Sequence, residues 1–397
     1  MITDEQIERY LYPYTQRQAE LSAYVIRTIV KRVHDIGKLA SFDDLYTIQE
    51  TVRTSEDVQH MNVAVVKSRE KQIRHLRDDL WDIAVLIYLE SQEYYARKIA
   101  LDNNYEALRA VQRSVDDAIK SLNELLRNPV IVMRDLKNPG LLKAFTLDEA
   151  YKSVINEASM IRKLNIDTTI ALKRTTAQLA DSGLRYMSDF TSNDLEAVKS
   201  ANIAVRMNVL NSIKNIIANV DEVISKQIGA DGVELSAHMF PAPDHAPAQG
   251  RQYTKAEFEK MQNGEDFVDV DGVQFEGFER QIGQWNCRHY VKSIKLGSKP
   301  TYTKKQLDKI LTDNERGYTT PDGKHLTLYE CTQMQRRYER EIRKAKERYL
   351  MCKDLGDTTG MSSSRTRVGK LTSQYKLFSQ ACDIPAKLER LTVKDYQ

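Results

Sequence analysis

The order of apolar and polar positions divides the chain near residue 229. From Thr54 to Asn103 there is no Gly or Pro, and Ile73, Leu76, Leu80, Ile83 and Ile87 recur at steps of three and four, with Tyr94 resuming the stripe. That spacing sets a narrow apolar seam along one side of a helix. Thr54 with Asp57 forms a weak capping box at its start, and a helix continuous to Lys98 would run roughly 65 Å. A second seam joins Val209, Ile213, Ile216, Val220 and Val223, widened by Leu210, Ile217 and Ile224. Thr146 to Glu149 and Asn193 to Glu196 read as helix starts. Asn128-Pro129 and Asn138-Pro139-Gly140 separate an earlier helical group from a later one. Long helices are therefore the only elements expected before residue 229. Their seams serve either packing within a bundle or contact with a neighbouring subunit. His34, His60 and His75 stand singly among charged residues and read as solvated.

At Gly229 the texture changes. Gly229-Ala230-Asp231-Gly232 ends the last long helix, and Pro241, Pro243 and Pro247 exclude a regular helix from the segment that follows. Thr254 to Glu257 opens a short helix. Val268 to Phe275 alternates around Asp271-Gly272 and predicts a hairpin. A strand over Val291 to Leu296 follows, then a helix capped at Thr303 to Gln306. Asp322-Gly323, between Tyr318 and Leu326, predicts a second hairpin. Thr327 to Glu330 caps a long basic helix to about Cys352. Residues 355–370 (LGDTTGMSSSRTRVGK) read as a flexible linker, and Tyr375 to Ser379 as part of a short terminal helix. The expected fold class is α+β, predominantly α: a helical bundle or arm over 1–228, a compact α+β module over 229–355, and a linker with a short helix over 356–397.

Composition sharpens this division. Of 16 glycines in the 397 residues, only Gly37, Gly140 and Gly183 precede Gly229, and of 9 prolines only Pro13, Pro129 and Pro139 do. Inside a helix these residues cost about 1 and 3 kcal/mol relative to Ala, so only the first part is permitted to be mostly helical. The longest apolar run, Ile83 to Leu89, is far short of the roughly 20 residues that cross a bilayer. The start, Met1-Ile2-Thr3-Asp4-Glu5, lacks a basic-then-apolar signal pattern, which implies a protein made in the cytoplasm and no membrane partner. The four cysteines lie beyond residue 286 without CxxC pairing, so reduced thiols are expected. A net charge of +3 does not by itself imply a nucleic-acid partner.

Candidate chemistry collects after Gly229. His238, His245, Cys287 and His289 could supply four tetrahedral zinc ligands, two histidines six residues apart and then Cys-x-His, although about forty residues separate the pairs. Two other readings stand beside zinc. One is a metal-free hydrogen-bonded knot holding the proline-rich loop against Trp285. The other is catalytic use, a nucleotide- or nucleic-acid-directed, toxin-like enzyme with histidine as general acid or base and Arg288 stabilising an anion. No phosphate loop, paired-carboxylate pattern or nucleophile elbow accompanies the set, so the chain is read as a non-enzyme. Between Arg336 and Arg348 there are seven basic and three acidic residues. Either this is a solvated helix face, or Arg336, Arg337, Arg340, Arg343, Lys344, Arg365 and Arg367 contact DNA.

The stretch from Leu235 to Tyr290 resembles the phage minor capsid protein 2 family, relatives of the Mu F-type head-morphogenesis proteins. The resemblance is carried by Ser236-Ala237-His238, Asp244-His245-Ala246, Gln249-Gly250-Arg251-Gln252-Tyr253 and Trp285-Asn286-Cys287-Arg288-His289. Lys299 to Thr303 and Tyr329 to Arg336 extend it. Where many members have Arg-Pro before the second histidine and Trp before Gln-Gly, this chain has Ala242-Pro243 and Ala248. The resemblance implies a low-copy virion protein of a tailed phage, made in the host cytoplasm and carried in the head. Its implied partners are the portal protein, the major capsid protein, or both, together with packaged DNA. Its implied roles are head morphogenesis and DNA packaging or delivery, with Gln249, Gly250, Trp285, Asn286 and Arg288 as structural motif residues.

Overall fold

In the computed structural model, residues 4–38, 56–96, 105–134, 142–163, 179, 183–187, 198–268, 274–284 and 287–396 are described. The long glycine-poor stretches do become helices: α1 (Asp4–Gly37), α2 (Glu56–Ala96), α3 (Tyr105–Leu125), α4 (Leu147–Lys163) and α5 (Ala201–Ile228). On α2, Leu76, Leu80 and Ile83 are fully buried while Ile73 and Ile87 are half-buried. Each fully buried side chain of this kind contributes about 1.5–3 kcal/mol of transfer free energy. α5 buries both of its predicted rows, Val209, Ile213, Ile216 and Val220 together with Leu210, Ile217 and Ile224, and Val223 lies at their edge. It packs against α1, α2 and α3, so the seams serve intramolecular packing and α5 is the central helix. The start of α4 is fixed as expected, with Thr146 N donating to Glu149 Oε2 at 2.9 Å and Glu149 N donating to Thr146 Oγ1 at 3.3 Å. Thr54, Asn193, Glu196 and the break at residues 138–140 lie outside the described residues, as does the side chain of Tyr94.

The expectation of helices alone before residue 229 is corrected. β1 (Pro129–Arg134), β2 (Leu142–Thr146), β3 (Leu184–Met187) and β4 (Val198–Ser200) form an antiparallel sheet in the order β2-β1-β3-β4. The β-branched run Val130-Ile131-Val132 supplies its middle strand, with Ile131 opposite Phe145 on one side and Leu184 on the other. Ile131, Leu184 and Tyr186 join the same core as the helices.

α5 ends where Gly229 turns left-handed, φ 57°. Gly229 N reaches Lys226 O, and Ala230 N reaches Ser225 O at 2.9 Å, a Schellman closure. The chain then enters a three-stranded antiparallel sheet in the order β6-β5-β9, built from β5 (Gly232–Leu235), β6 (Gln252–Thr254) and β9 (Val291–Ile294). α6 (Lys255–Gln262) and the pair β7 (Phe267–Val268) and β8 (Gln274–Phe275) complete a small core of Val233, Leu235, Tyr253, Met261, Phe267, Phe275 and Phe278. The first hairpin pairs as predicted, Phe267 opposite Phe275, with Asp271-Gly272 outside the described residues. After α7 (Lys304–Arg316) the second hairpin pairs β10 (Tyr318–Thr319) with β11 (His325–Leu326). Capping boxes at Thr254, Thr303 and Thr327 are all formed. The module is joined to the helical half through Asp221 on α5, whose carboxylate accepts from Ser293 N and Ser293 Oγ at 2.6–2.9 Å.

A second correction concerns residues 355–370. They are not a linker, because α9 (Thr358–Ala381) follows α8 (Leu328–Asp354) after a tight turn and packs along it. Asp357 caps α9 by accepting from Gly360 N. The facing residues are a heptad series on each helix: Leu328, Cys331, Gln335, Tyr338, Ile342, Ala345, Tyr349 and Cys352 on α8, and Ser364, Val368, Leu371, Tyr375, Phe378 and Cys382 at the other side. Buried polar pairs set the antiparallel register, Gln335 Nε2 donating to Ser379 Oγ at 2.8 Å and Tyr375 Oη donating to Glu339 at 3.1 Å. Gly360 permits the close approach, since a Cβ there would lie 2.6 Å from Cys352 Sγ. Of the small residues that gave the sequence its linker-like texture, Gly360 and Ser364 pack inward, while Ser362, Ser363, Thr366 and Gly369 lie on the exposed face of α9.

This hairpin is clamped to α1. Arg27 spans Asp354 at 2.7 and 3.1 Å and Asp395 at 2.8 Å. Glu8 lies between Arg206 of α5 and Arg390, the latter at 3.0 Å.

Candidate functional site

β5 leads directly into the proline-rich segment, and the base of that loop is closed by main-chain bonds. Gly250 N donates to Leu235 O at 2.9 Å, Ser236 N donates to Tyr290 O at 2.9 Å, and Tyr290 N donates to Ser236 Oγ at 3.0 Å. Residues 242–249 coil through consecutive tight turns, with Ala246 N on Ala242 O and Gln249 N on His245 O. Tyr253 Oη holds Ala248 O at 2.8 Å. Gly250 is left-handed at φ 72°, and a Cβ on it would meet Leu307 Cδ2 at 2.3 Å and Ala237 Cβ at 3.2 Å. The Gln-Gly pair of the sequence motif is thus a hydrogen-bonding side chain followed by a turn requirement.

That side chain organises the interior. Gln249 Oε1 accepts from His238 N at 3.0 Å and lies 3.2 Å from His289 Nε2. His245 Nε2 lies 2.6 Å from Arg280 O and 3.3 Å from Asp244 Oδ2, and Arg280 pairs with the same Asp244 carboxylate at 3.3 Å. The remaining nitrogens converge: His245 Nδ1 is 3.7 Å and His289 Nδ1 3.6 Å from Cys287 Sγ. All three residues are buried. Phe278 meets the His245 ring edge-on at 5.0 Å.

Burial works against charge at this cluster, but the contact between Cys287 and His245 still lowers the thiol and raises the imidazole. His289 is held neutral by burial and by the neighbouring His238 and His245, its pKa well below the usual imidazole value. Beside them, a cleft of about 610 Å³ runs between α5 and the module, lined in part by Lys214, Asp221, His289 and Ser293. Lys214 donates to Gly283 O at 3.0 Å, and burial depresses its pKa.

Of the four residues singled out as metal ligands, the structure brings three together. His238 is displaced: its Nδ1 is 3.0 Å from Met239 O and its ring lies against His289 with centroids 4.1 Å apart. Trp285 and Asn286 lie outside the described residues. Arg288 is half-buried next to the cluster. Residues that sequence reasoning missed are Asp244, which fixes Arg280 and His245, and Arg280 itself, whose carbonyl takes His245. Asp244 adjoins a motif histidine and was visible, whereas the carbonyl of Arg280 carries no side-chain signal.

The basic set also separates. Arg337, Arg340, Lys344, Arg365 and Arg367 are exposed, with Arg367 pairing with Glu341 at 2.9 Å. Arg336 and Arg343 instead turn inward toward α1. Arg343 donates to Arg390 O at 2.8 Å, and burial among Arg206, Arg288 and Arg390 lowers Arg336 to about 10 despite the opposing Glu8. Both are half-buried and line a cleft with Glu8 and Arg390.

The chain is a predominantly helical α+β protein, and among the described residues no helix is long and apolar enough to cross a membrane. The family model described as phage minor capsid protein 2 matches residues 2–379, nearly the whole chain, and the chain belongs to that family. It is therefore a structural protein of the phage head and a virion component. Searches of curated proteins and of solved structures gave no match.

Proposed function

We propose that the protein sits at the portal, facing the inside of the head, and acts in head morphogenesis and in DNA packaging or delivery, after assembling in the host cytoplasm. The observation that carries docking is a set of exposed apolar residues on two consecutive helices of the helical half. Val85, Leu86 and Leu89 near the end of α2 and Tyr105 and Leu108 at the start of α3 are exposed, between 37% and 63%. All five lie on the last part of α2 and the first turn of α3, helices consecutive in the chain. Water-facing apolar residues gathered this way suit a protein partner, and the portal protein is the occupant assigned. Leu89→Glu with Leu108→Glu should leave the melting temperature of the isolated protein unchanged and abolish its co-purification with portal rings. Retained binding to portal, or loss of binding only to the major capsid protein, would overturn the assignment.

The exposed residues of α8 and α9 support a second, compatible reading, contact with packaged DNA. Each phosphate contact contributes about 0.9 to the slope of log affinity against log salt. Replacing Arg340, Lys344 and Arg365 by Ala is expected to flatten that slope by about 2–3, read by filter binding on duplex DNA. An unchanged slope would remove DNA contact from this face. No reaction is assigned to the His/Cys cluster, since Cys287 and His245 are closed to a substrate.

A further inference from the structure

The hydrogen bonds around His245, Cys287 and His289 leave a surplus of lone pairs at their centre. Each imidazole faces an oxygen with Nε2: the Arg280 carbonyl for His245 and Gln249 Oε1 for His289. Gln249 is oriented by His238 N, which donates to the same Oε1. With both rings neutral, an oxygen acceptor requires the proton on Nε2, so both Nδ1 atoms present lone pairs to one sulfur. A single S–H satisfies one of them. The other imidazole nitrogen is left facing sulfur in a buried position, an arrangement that costs on the scale of an unmade buried hydrogen bond. A cation at the centre satisfies all three donors together.

The distances point the same way. An ion holding nitrogen at about 2.0–2.1 Å and thiolate sulfur at about 2.3 Å in tetrahedral geometry sets those ligand atoms about 3.5–3.6 Å apart. The two nitrogen-to-sulfur separations here are 3.6 and 3.7 Å. Ligating histidines characteristically donate their second N–H to a carbonyl or carboxylate that fixes ring orientation. Both histidines do so here, and the Asp244–Arg280 pair secures one of the acceptors.

We propose that His245 Nδ1, His289 Nδ1 and Cys287 Sγ bind one zinc ion, with a solvent ligand in the fourth position and His238 supporting the His289 ring from outside. Two imidazoles and one thiolate form a borderline-soft set suited to zinc. The ion would staple the turn at 242–249 to the segment entering β9, two pieces of chain about forty residues apart that share a small apolar core.

The test uses the full chain without a histidine tag, produced in zinc-supplemented medium and purified without chelator. Elemental analysis is expected to give about one zinc per chain, and Cys287→Ser and His289→Gln are each expected to lower the content at least tenfold. His238→Gln is expected to retain it. Cobalt substituted into the unaltered chain should show tetrahedral d–d bands and a thiolate-to-cobalt charge-transfer band, a measurement independent of whether any variant folds. The proposal is overturned if the wild-type chain carries no zinc and, after chelator treatment with its circular dichroism intact, takes up neither zinc nor cobalt. Undiminished zinc in Cys287→Ser would overturn the ligand set, and its loss from a folded His238→Gln would overturn the exclusion of His238.

Discussion

In the helical half, Leu80, Ile83, Ile213 and Val220 meet other apolar side chains, and the pair of Tyr186 Oη with Gln18 Oε1 at 3.0 Å is a polar exception. In the C-terminal half, residues buried just as deeply include His245, His289, Gln249, Gln335 and Glu339, each tied to a named partner. Apolar burial is non-directional and tolerates small shifts. A buried polar group is favourable only with its partner in place, and losing the partner leaves its full desolvation cost. The first half is therefore held chiefly by area, and the second by position. A module whose strands are two to four residues long needs the latter, because its apolar core is too small to choose one arrangement.

The contrast can be broken most strongly in α5. Ile213→Ala should cost about 2–5 kcal/mol by urea unfolding, the usual range for truncating a closed apolar site. A loss below about 1 kcal/mol would mean the seam readily collapses around the gap. The next largest effect tests the charge clamp between the halves. Burial alone would raise the pKa of Glu8, but Arg206 and then Arg390 outweigh it and hold the carboxyl at about 2, against 4.5 when unperturbed. With the folded value depressed, this stabilisation is fully present above about pH 4.5, declines as pH falls and is gone below about pH 2. Glu8→Gln is accordingly expected to cost up to about 3 kcal/mol near neutrality, and the difference from wild type should vanish in acid. A pH-independent difference would point to lost packing instead.

Gly250→Ala should cost about 1–2 kcal/mol through its left-handed backbone. Hydrogen exchange should rise first in residues 236–250, and a uniform rise across the helical half would contradict a separately positioned module. The smallest effect is local: Thr327→Ala removes one capping box and should cost about 1 kcal/mol, seen as fraying at the start of α8 by amide exchange.

What the sequence disclosed follows the same division. The seams of α2 and α5, the helix starts at Thr146, Thr254, Thr303 and Thr327 and both hairpins depend on residues within a few positions of one another, and they were legible. The sheet of β1 to β4 was not, because Val130-Ile131-Val132 is too short to distinguish strand from buried helix and its partners lie as far away as Leu184. α9 was hidden by Gly360 and Ser364, which pack against α8 but resemble linker residues. At the site, the residue types were legible and their grouping was not. Nothing in the spacing of His238, His245, Cys287 and His289 indicates which one stands apart, and the inward turn of Arg336 depends on Glu8, more than three hundred residues earlier.

The clamp on α1 also sets an order of events during synthesis. α1 is made more than three hundred residues before Asp354, Arg390 and Asp395, which close over its polar edge. Contacts of such long sequence separation are slow to form and leave incomplete intermediates open to association. α1 can settle against α4 and α5 once residue 228 has been made, yet Glu8 and Arg27 remain without these C-terminal partners until the last turns arrive. Synthesis of the segment through residue 395 is thus the step that seals α1.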